Sequence, residues 1–464
     1  MPAFRKMSDA INLQSRHHLS QTCRMTLVTS QIVNTIFGFI YLVKWNTFVG
    51  QNVYKMRWLY NLGILGYYLL VKIVSVRNDK ARKWLEGRKD IFNRLRETIT
   101  PGERLLWFHA SSLGEFEQGR PVIEAIRKLK PEYKILLTFF SPSGYELRKN
   151  YKYADYVFYL PLDTKKNAAR FIDIVRPEKV FFIKYEFWYN FLTQLNEAAI
   201  PTYIFSALFR PSQIFFKPWG KWYLKAIGTY EHIFVQNQES FDILHQNGFT
   251  NVSICGDTRL DRVGEIADAA PRLDQLEIFC NGQQVIIAGS TWKEDEDLFI
   301  PYLNKCQSGQ KFVIAPHEVN PQSLERVCSA LEKPYAFYST ASREELLQAD
   351  ILIVDGYGYL VSVYRYGLLA YVGGGFTSGI HSILEPAVFG LPVIFGPDYE
   401  KFQEAHDMLA LGAATCINNY EELEIQIDGY LSSAEKLNAA SAIARSYVNK
   451  NRGASKEIVK YLFL

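Results

Sequence analysis

The chain has 464 residues, of which 48% are hydrophobic, 15% aromatic and 22% charged. At about 150 residues per domain that supplies roughly three folded units and excludes a disordered chain. The 52 basic and 48 acidic residues leave a net charge of +4, too weak for a nucleic-acid-binding protein, which needs a concentrated basic face. Six scattered cysteines without a CxxC pair argue against a disulfide framework or a zinc site and favour a reducing compartment.

Residues 1–55 carry no clear pattern, and residues 1–57 read as a leader in which Met25 and Met56 are alternative starts. Two apolar runs stand out: 32–49, with Lys44 its one charge, and 58–76, with Lys72 its one charge. A spanning helix needs about 20 mostly apolar residues, so the second run is long enough and the first is marginal. Trp58, Tyr60, Tyr67 and Tyr68 suit a membrane interface, and eight Lys/Arg crowd residues 77–96 against Asp79, Glu86 and Asp90. The expectation is a membrane-anchor helix with a basic collar over 58–100, the body lying in the cytoplasm. A buried core helix is the alternative. A secretory signal fits less well, because the apolar run starts late and no small-residue cleavage site follows.

From residue 103 short apolar runs alternate with helical spacing. Strands are expected at 104–110, 133–140, 156–162, 179–185, 201–207, 232–237 and 252–255. A polar stretch, 258–283, reads as a linker. The pattern then restarts, with strands at 284–290, 311–317, 334–340, 350–356, 368–375 and 392–397. Such alternation implies parallel sheets covered by helices. The fold class is α/β with two doubly wound, Rossmann-like domains, 101–265 and 266–464, facing a cleft as in the GT-B class. Ligands in such sheets bind beyond the carboxyl ends of the strands.

Those strand ends carry the chemistry-bearing residues. In HASSLGEFEQGRP (109–121) a Ser/Gly turn leads into a helix, and Glu115 falls in its first turn. It is either a proton acceptor for a hydroxyl or a carboxylate favoured by the helix dipole. Glu186 in FFIKYEFWYN follows an apolar strand, as a cleft carboxylate or a cap; Arg259 in ICGDTRLDRV is either a cation for a leaving phosphate or an exposed linker residue. AGSTWKEDED (288–297) places Ser290 and Thr291 before an acidic helix start, a plausible phosphate cradle that lacks the Walker A pattern. His317 ends a strand in APHEVNP. The longest motif, GGGFTSGIHSILEPAVFGLPVIFGP (373–397), combines three strand-ending glycines with Glu385, placed to accept from two ribose hydroxyls.

Together these blocks resemble the 3-deoxy-D-manno-octulosonic acid (Kdo) transferases of Gram-negative bacteria. HASSLGE resembles that family's H-A-x-S-x-G-E, YLPLD (159–163) its Y-x-P-x-D, YEFWYN its E-T-E-x-W-P-N, and GDTRLD its G-x-x-K-x-D. GGGFTSGIHSILEPAVFG resembles its G-G-S-x-x-x-x-G-G-H-N-x-L-E-x-A-x-x-G. The resemblance runs in order from about Leu59 to the C-terminus. It implies an inverting glycosyltransferase at the cytoplasmic face of the inner membrane, moving Kdo from CMP-Kdo to the lipid A precursor, without metal or cofactor. It implies Glu115 as proton acceptor and Arg259, where the family has lysine, as the group stabilising the departing phosphate. It also places Ser290, Thr291, Pro316, His317, Tyr357, Gly358, Tyr359, Ser382, Ile383, Leu384 and Glu385 around CMP. Departures are visible: Lys184 aligns with the first family Glu of E-T-E, leaving only Glu186; Ser382 replaces the asparagine of G-G-H-N; Tyr357–Gly358–Tyr359 replaces M-G-E; and the family arginine of N-A-R-L-S is displaced to Arg210 in SALFRP. Competing readings are another GT-B enzyme, such as a UDP-sugar transferase or 2-epimerase, and a non-catalytic membrane scaffold of the same fold.

Overall fold

A computed structural model describes residues 53–306 and 309–463. The leader up to residue 52 and the apolar run 32–49 lie outside the described residues. The chain divides into two compact units: one runs to Arg259 and takes back the stretch from Gly453, the other is Leu260–Arg452. The break therefore precedes the expected 265/266 boundary, and the C-terminal helix Ala454–Phe463 belongs to the first unit. Its Ile458, Val459 and Leu462 are buried beside Val122, Ile126 and Phe181, and Lys179 Nζ donates to Leu462 O at 2.9 Å.

The first unit is built on seven strands: β1 (Leu105–Ala110), β2 (Lys134–Phe139), β3 (Tyr156–Tyr159), β4 (Lys179–Ile183), β5 (Thr202–Ala207), β6 (His232–Val235) and β7 (Val252–Ile254). They pair in parallel in the order β3-β2-β1-β4-β5-β6-β7. All six residues of β1 are buried, as a strand must be when helices cover both faces of its sheet. The second unit repeats the plan with β8 (Val285–Thr291), β9 (Phe312–Pro316), β10 (Tyr335–Phe337), β11 (Ile351–Ile353), β12 (Gly367–Val372), β13 (Val393–Phe395) and β14 (Ala414–Cys416), ordered β10-β11-β9-β8-β12-β13-β14. Both sheets are doubly wound, as the alternation in the sequence required. Sequence reasoning missed β14, three residues on a sheet edge, too short to show a period.

The expected linker is instead two helices, Thr258–Ala269 and Asp274–Cys280. Leu260, Val263 and Ala267 sit at helical spacing on a buried face, masked in the sequence by Arg259, Asp261, Arg262, Glu265 and Asp268 between and beside them.

The run 58–76 also differs from expectation. Its residues 58–74 lie in the helix Val53–Val74, one face of which packs into the first unit through Tyr60, Ile64 and Val71. Tyr60 donates to Asp163 Oδ2 at 2.5 Å. Among the described residues no helix is long and apolar enough to cross a membrane. The opposite face is apolar and exposed: Trp58, Leu62, Leu65, Leu69, Leu70 and Ile73. Behind it, Arg88 is not a collar residue. Its guanidinium lies 3.8 Å from the Trp84 ring and donates to the carbonyls of Leu160, Trp84 and Phe140, and burial lowers its pKa to about 9. Lys72, Arg77, Arg82, Lys83, Lys89 and Arg96 remain exposed.

Three backbone irregularities lie at carboxyl ends of strands. Ladder registers shift between Ile204 and Ala207 of β5 and between Gly289 and Thr291 of β8. At those bulges Ser206 and Ser290 adopt φ of 54°, and Lys184, just past β4, adopts 72°. Left-handed backbone in a side-chain-bearing residue costs energy and concentrates where a site needs an unusual direction.

Candidate functional site

In the first unit, β1 ends at Ala110 and Ser112 caps the helix Leu113–Leu129 in extended conformation. Glu115 follows in the first turn, partly exposed, its carboxylate accepting from the Ser112 hydroxyl. Burial and the negative charge of Glu186 push its pKa up; Lys184 and the backbone N–H groups of the turn pull the other way. The net shift is upward, which makes the carboxylate a better proton acceptor.

Glu186 is differently employed. It is buried, and its oxygens accept from Ser111 N at 2.7 Å, Ser111 Oγ at 2.8 Å and Trp188 Nε1 at 2.5 Å. His109 Nε2 lies 3.3 Å away, and Tyr230 donates to the Glu186 carbonyl at 2.5 Å. With three donors on its oxygens, Glu186 braces the Ser111–Ser112 turn that aims Glu115 and contributes repulsion to it.

Arg259 is held by Asp257, its Nε at 2.8 Å and Nη2 at 2.6 Å from Oδ2, with its own N–H donating to Oδ1 at 2.9 Å. Burial pushes the Asp257 carboxyl up, but the charge and hydrogen bonds of Arg259, with help from Lys184, outweigh it and hold the group below its ordinary value. Tyr185 senses Arg210, Glu115, Arg259 and Asp257 electrostatically, although burial dominates its upward shift. The structure thus brings Glu115, Lys184, Arg210 and Arg259 into one neighbourhood. The neighbouring Thr258 fixes the register: its Oγ1 donates to Gln118 O at 2.5 Å, one turn along the helix of Glu115, and meets Ser206 Oγ at 2.8 Å.

The second unit gathers most of its expected residues at strand ends as well. Ser290 and Thr291 form the β8 bulge, and Thr291 O accepts from His317 N at 2.9 Å just past Pro316. Tyr357 is exposed, and its hydroxyl accepts from Val319 N at 3.1 Å across Gly358, whose φ is 89°. Tyr359 packs on Tyr338 with centroids 4.7 Å apart. Ser382 is exposed, whereas Ile383 and Leu384 are buried in the core and can offer a ligand only their backbone. Glu385 is pushed up to about 7 by burial.

Sequence reasoning overlooked the residue that organises this end. Asp295 is fully buried and accepts from Tyr371 Oη at 2.7 Å, Gly374 N at 2.8 Å and Trp292 N at 2.9 Å. It ties the glycine turn after β12 to the start of the helix Lys293–Lys305. A Cβ on Gly373 would lie 2.4 Å from Ser290 O, so the turn needs glycine to close against the β8 bulge. The Trp-x-x-Asp spacing at a helix start was the available signal. Among the described residues no group of three or more His, Cys, Asp or Glu is placed to hold a metal ion, and five cysteines are free thiols.

The model of a family described as 3-deoxy-D-manno-octulosonic-acid transferase (kdotransferase) matches residues 86–262. A 3-deoxy-D-manno-octulosonic acid transferase of Rickettsia typhi is 28% identical, covering 75% of this chain and 77% of that protein. That of Aquifex aeolicus is 26% identical over 74% and 90%, and that of Haemophilus influenzae 25% over 84% and 93%. By these comparisons the chain is similar to the Kdo transferases. The matched segment contains Glu115, Lys184, Glu186 and Arg259, the residues gathered in the first unit. Among solved structures, UDP-GlcNAc 2-epimerase from Neisseria meningitidis superposes with a TM-score of 0.55 at 16% identity, covering 77% of this chain and 99% of that one. MurG from Acinetobacter baumannii gives 0.51 at 12%, covering 77% and 98%. At such identities the likeness establishes the fold alone, which is GT-B.

Proposed function

We propose that the chain is an inverting glycosyltransferase that moves Kdo from CMP-Kdo to the lipid A precursor in lipopolysaccharide biosynthesis. Glu115 carries the reading: a carboxylate at a helix start, made more basic by burial and by Glu186, with Arg259 and Lys184 as nearby cations. An acceptor hydroxyl oxygen bonds to the anomeric carbon of Kdo while its proton passes to Glu115. The bond from that carbon to the CMP phosphate oxygen breaks, and CMP leaves with the electron pair. Attack from the face opposite the phosphate inverts the centre. Arg259 offsets charge on the leaving phosphate, and Asp257 keeps its guanidinium oriented. Glu186 acts through the Ser111 turn. On the second unit Ser290, Thr291, His317, the Tyr357–Tyr359 loop and Glu385 are the donor-binding groups.

Association with the cytoplasmic face of the inner membrane belongs to the same proposal. The exposed apolar face of the helix Val53–Val74 and the exposed cations behind it suit an anionic lipid surface, each cation near the surface contributing about 1 kcal/mol. The test is incubation of the purified protein with CMP-Kdo and the lipid A precursor, read by product mass. Addition of Kdo supports the reading; turnover of a UDP-sugar with none of CMP-Kdo overturns it.

A further inference from the structure

Three aromatic rings meet at the end of β8. The Trp292 indole N–H lies 3.0 Å from His381 Nε2, and the two rings are nearly coplanar, 11° apart with centroids at 6.5 Å. They form one flat plate, edge to edge. The His317 ring lies on that plate, 4.4 Å from Trp292 and 4.5 Å from His381, tilted by 25° and 22°.

An indole N–H only donates, so His381 Nε2 must accept and carry no proton. A neutral imidazole then has its hydrogen on Nδ1. The backbone fixes the ring's other edge: His381 N donates to Gly373 O at 3.1 Å, and a Cβ on Gly374 would sit 3.1 Å from His381 Cδ2. The Cδ2–Nε2 edge is therefore spent on Gly374 and Trp292. The Nδ1 edge faces the other way and has no hydrogen-bond partner among the described residues. Burial and the neighbouring His317 lower the His381 pKa to about 4, so near neutral pH the ring donates through one N–H without carrying charge.

We propose that Trp292 is a positioning residue that locks His381 as its neutral Nδ1–H tautomer, so that this N–H donates to an anionic oxygen of the bound nucleotide. This rests on the donor-site reading above and adds to it a residue pair and a protonation state. His317 serves as the flat support that keeps the two rings coplanar. A charged imidazole would attract phosphate in any orientation; a single neutral N–H recognises direction.

Trp292→Phe keeps a stacking ring and deletes the N–H. Nitrogen-15 spectra of labelled imidazoles are expected to show His381 with a bare Nε2 and a protonated Nδ1 in the native chain, and the reverse or a mixture in Trp292→Phe. Affinity for CMP should fall about tenfold in Trp292→Phe, as for loss of one hydrogen bond to a charged group, with KM for the donor rising and kcat little changed. His381→Phe should lose as much, and Trp292→Phe added to it should cost nothing further. A native His381 protonated on Nε2, or a Trp292→Phe penalty undiminished in the His381→Phe background, overturns the proposal. Native protein that shows the expected tautomer but does not bind CMP overturns the phosphate contact and the donor reading together. Normal CMP binding with the wrong tautomer overturns this proposal alone.

Discussion

Glu385 offers a prediction whose size follows from its surroundings. It lies in the first turn of the short helix Leu384–Val388, and burial raises its pKa to about 7, well above the usual 4.5. If it accepts from both ribose hydroxyls, it must do so as a carboxylate. Burial favours the protonated form, so acidification below 7 removes the acceptor and alkaline pH restores it. With ionisation centred near 7, affinity for the nucleoside should fall about tenfold between pH 8 and pH 6. The neighbours do not interfere: Tyr364 is held well above 10 by burial and by the Glu385 charge, and His381 ionises near 4. Titration calorimetry with cytidine is the cleaner assay, because the phosphate of CMP itself gains a proton near pH 6. Glu385→Gln should bind about tenfold more weakly at pH 8 and lose the pH dependence, since a charge-assisted pair becomes a neutral one. Equal native affinity at pH 6 and 8, or a Gln variant that keeps the native profile, refutes the assignment.

Two further predictions concern the scaffold. Burial pushes the Asp163 carboxyl up to about 6 from 3.8, despite hydrogen bonds from Tyr60, Asn190 N and Phe191 N. A raised folded-state value stabilises at low pH and is lost as pH rises through it, so relative to Asp163→Asn the native chain should lose about 2 kcal/mol between pH 4 and pH 7; urea unfolding showing a pH-independent gap would contradict this. In the second unit, Asp295→Ala strands the Tyr371 hydroxyl and the Trp292 and Gly374 N–H groups, each worth about 1–3 kcal/mol when left unmet. Unfolding should show a loss of roughly 3–6 kcal/mol, against roughly 1–2 for Asp295→Asn, which keeps one acceptor; equal losses would refute the role given to it.

The strand pattern was legible because strands covered on both faces read as unbroken apolar runs, such as LLWFHA and KVFFI. What failed had a physical reason in each case. The stretch 258–283 looked polar because its buried positions recur at helical spacing among charges. The helix Val53–Val74 looked membrane-spanning because both its faces are apolar, one for Tyr60, Ile64 and Val71 and one left exposed. Glu115, Arg259 and Glu385 were visible as strand-end chemistry. The bracing role of Glu186, the Asp257 clamp on Arg259, the Asp295 hub and the Trp292–His381 pair were not, since each depends on partners that only the folded sheets bring together.

Turnover of Glu115→Ala with CMP-Kdo and the lipid A precursor probes the mechanism at its root. A fall in kcat of about 10²–10⁴-fold, with CMP affinity preserved because Glu115 is not among the proposed donor-binding residues, is the expected result. Turnover near that of the native protein would mean that the proton goes elsewhere, and the mechanism would have to be abandoned.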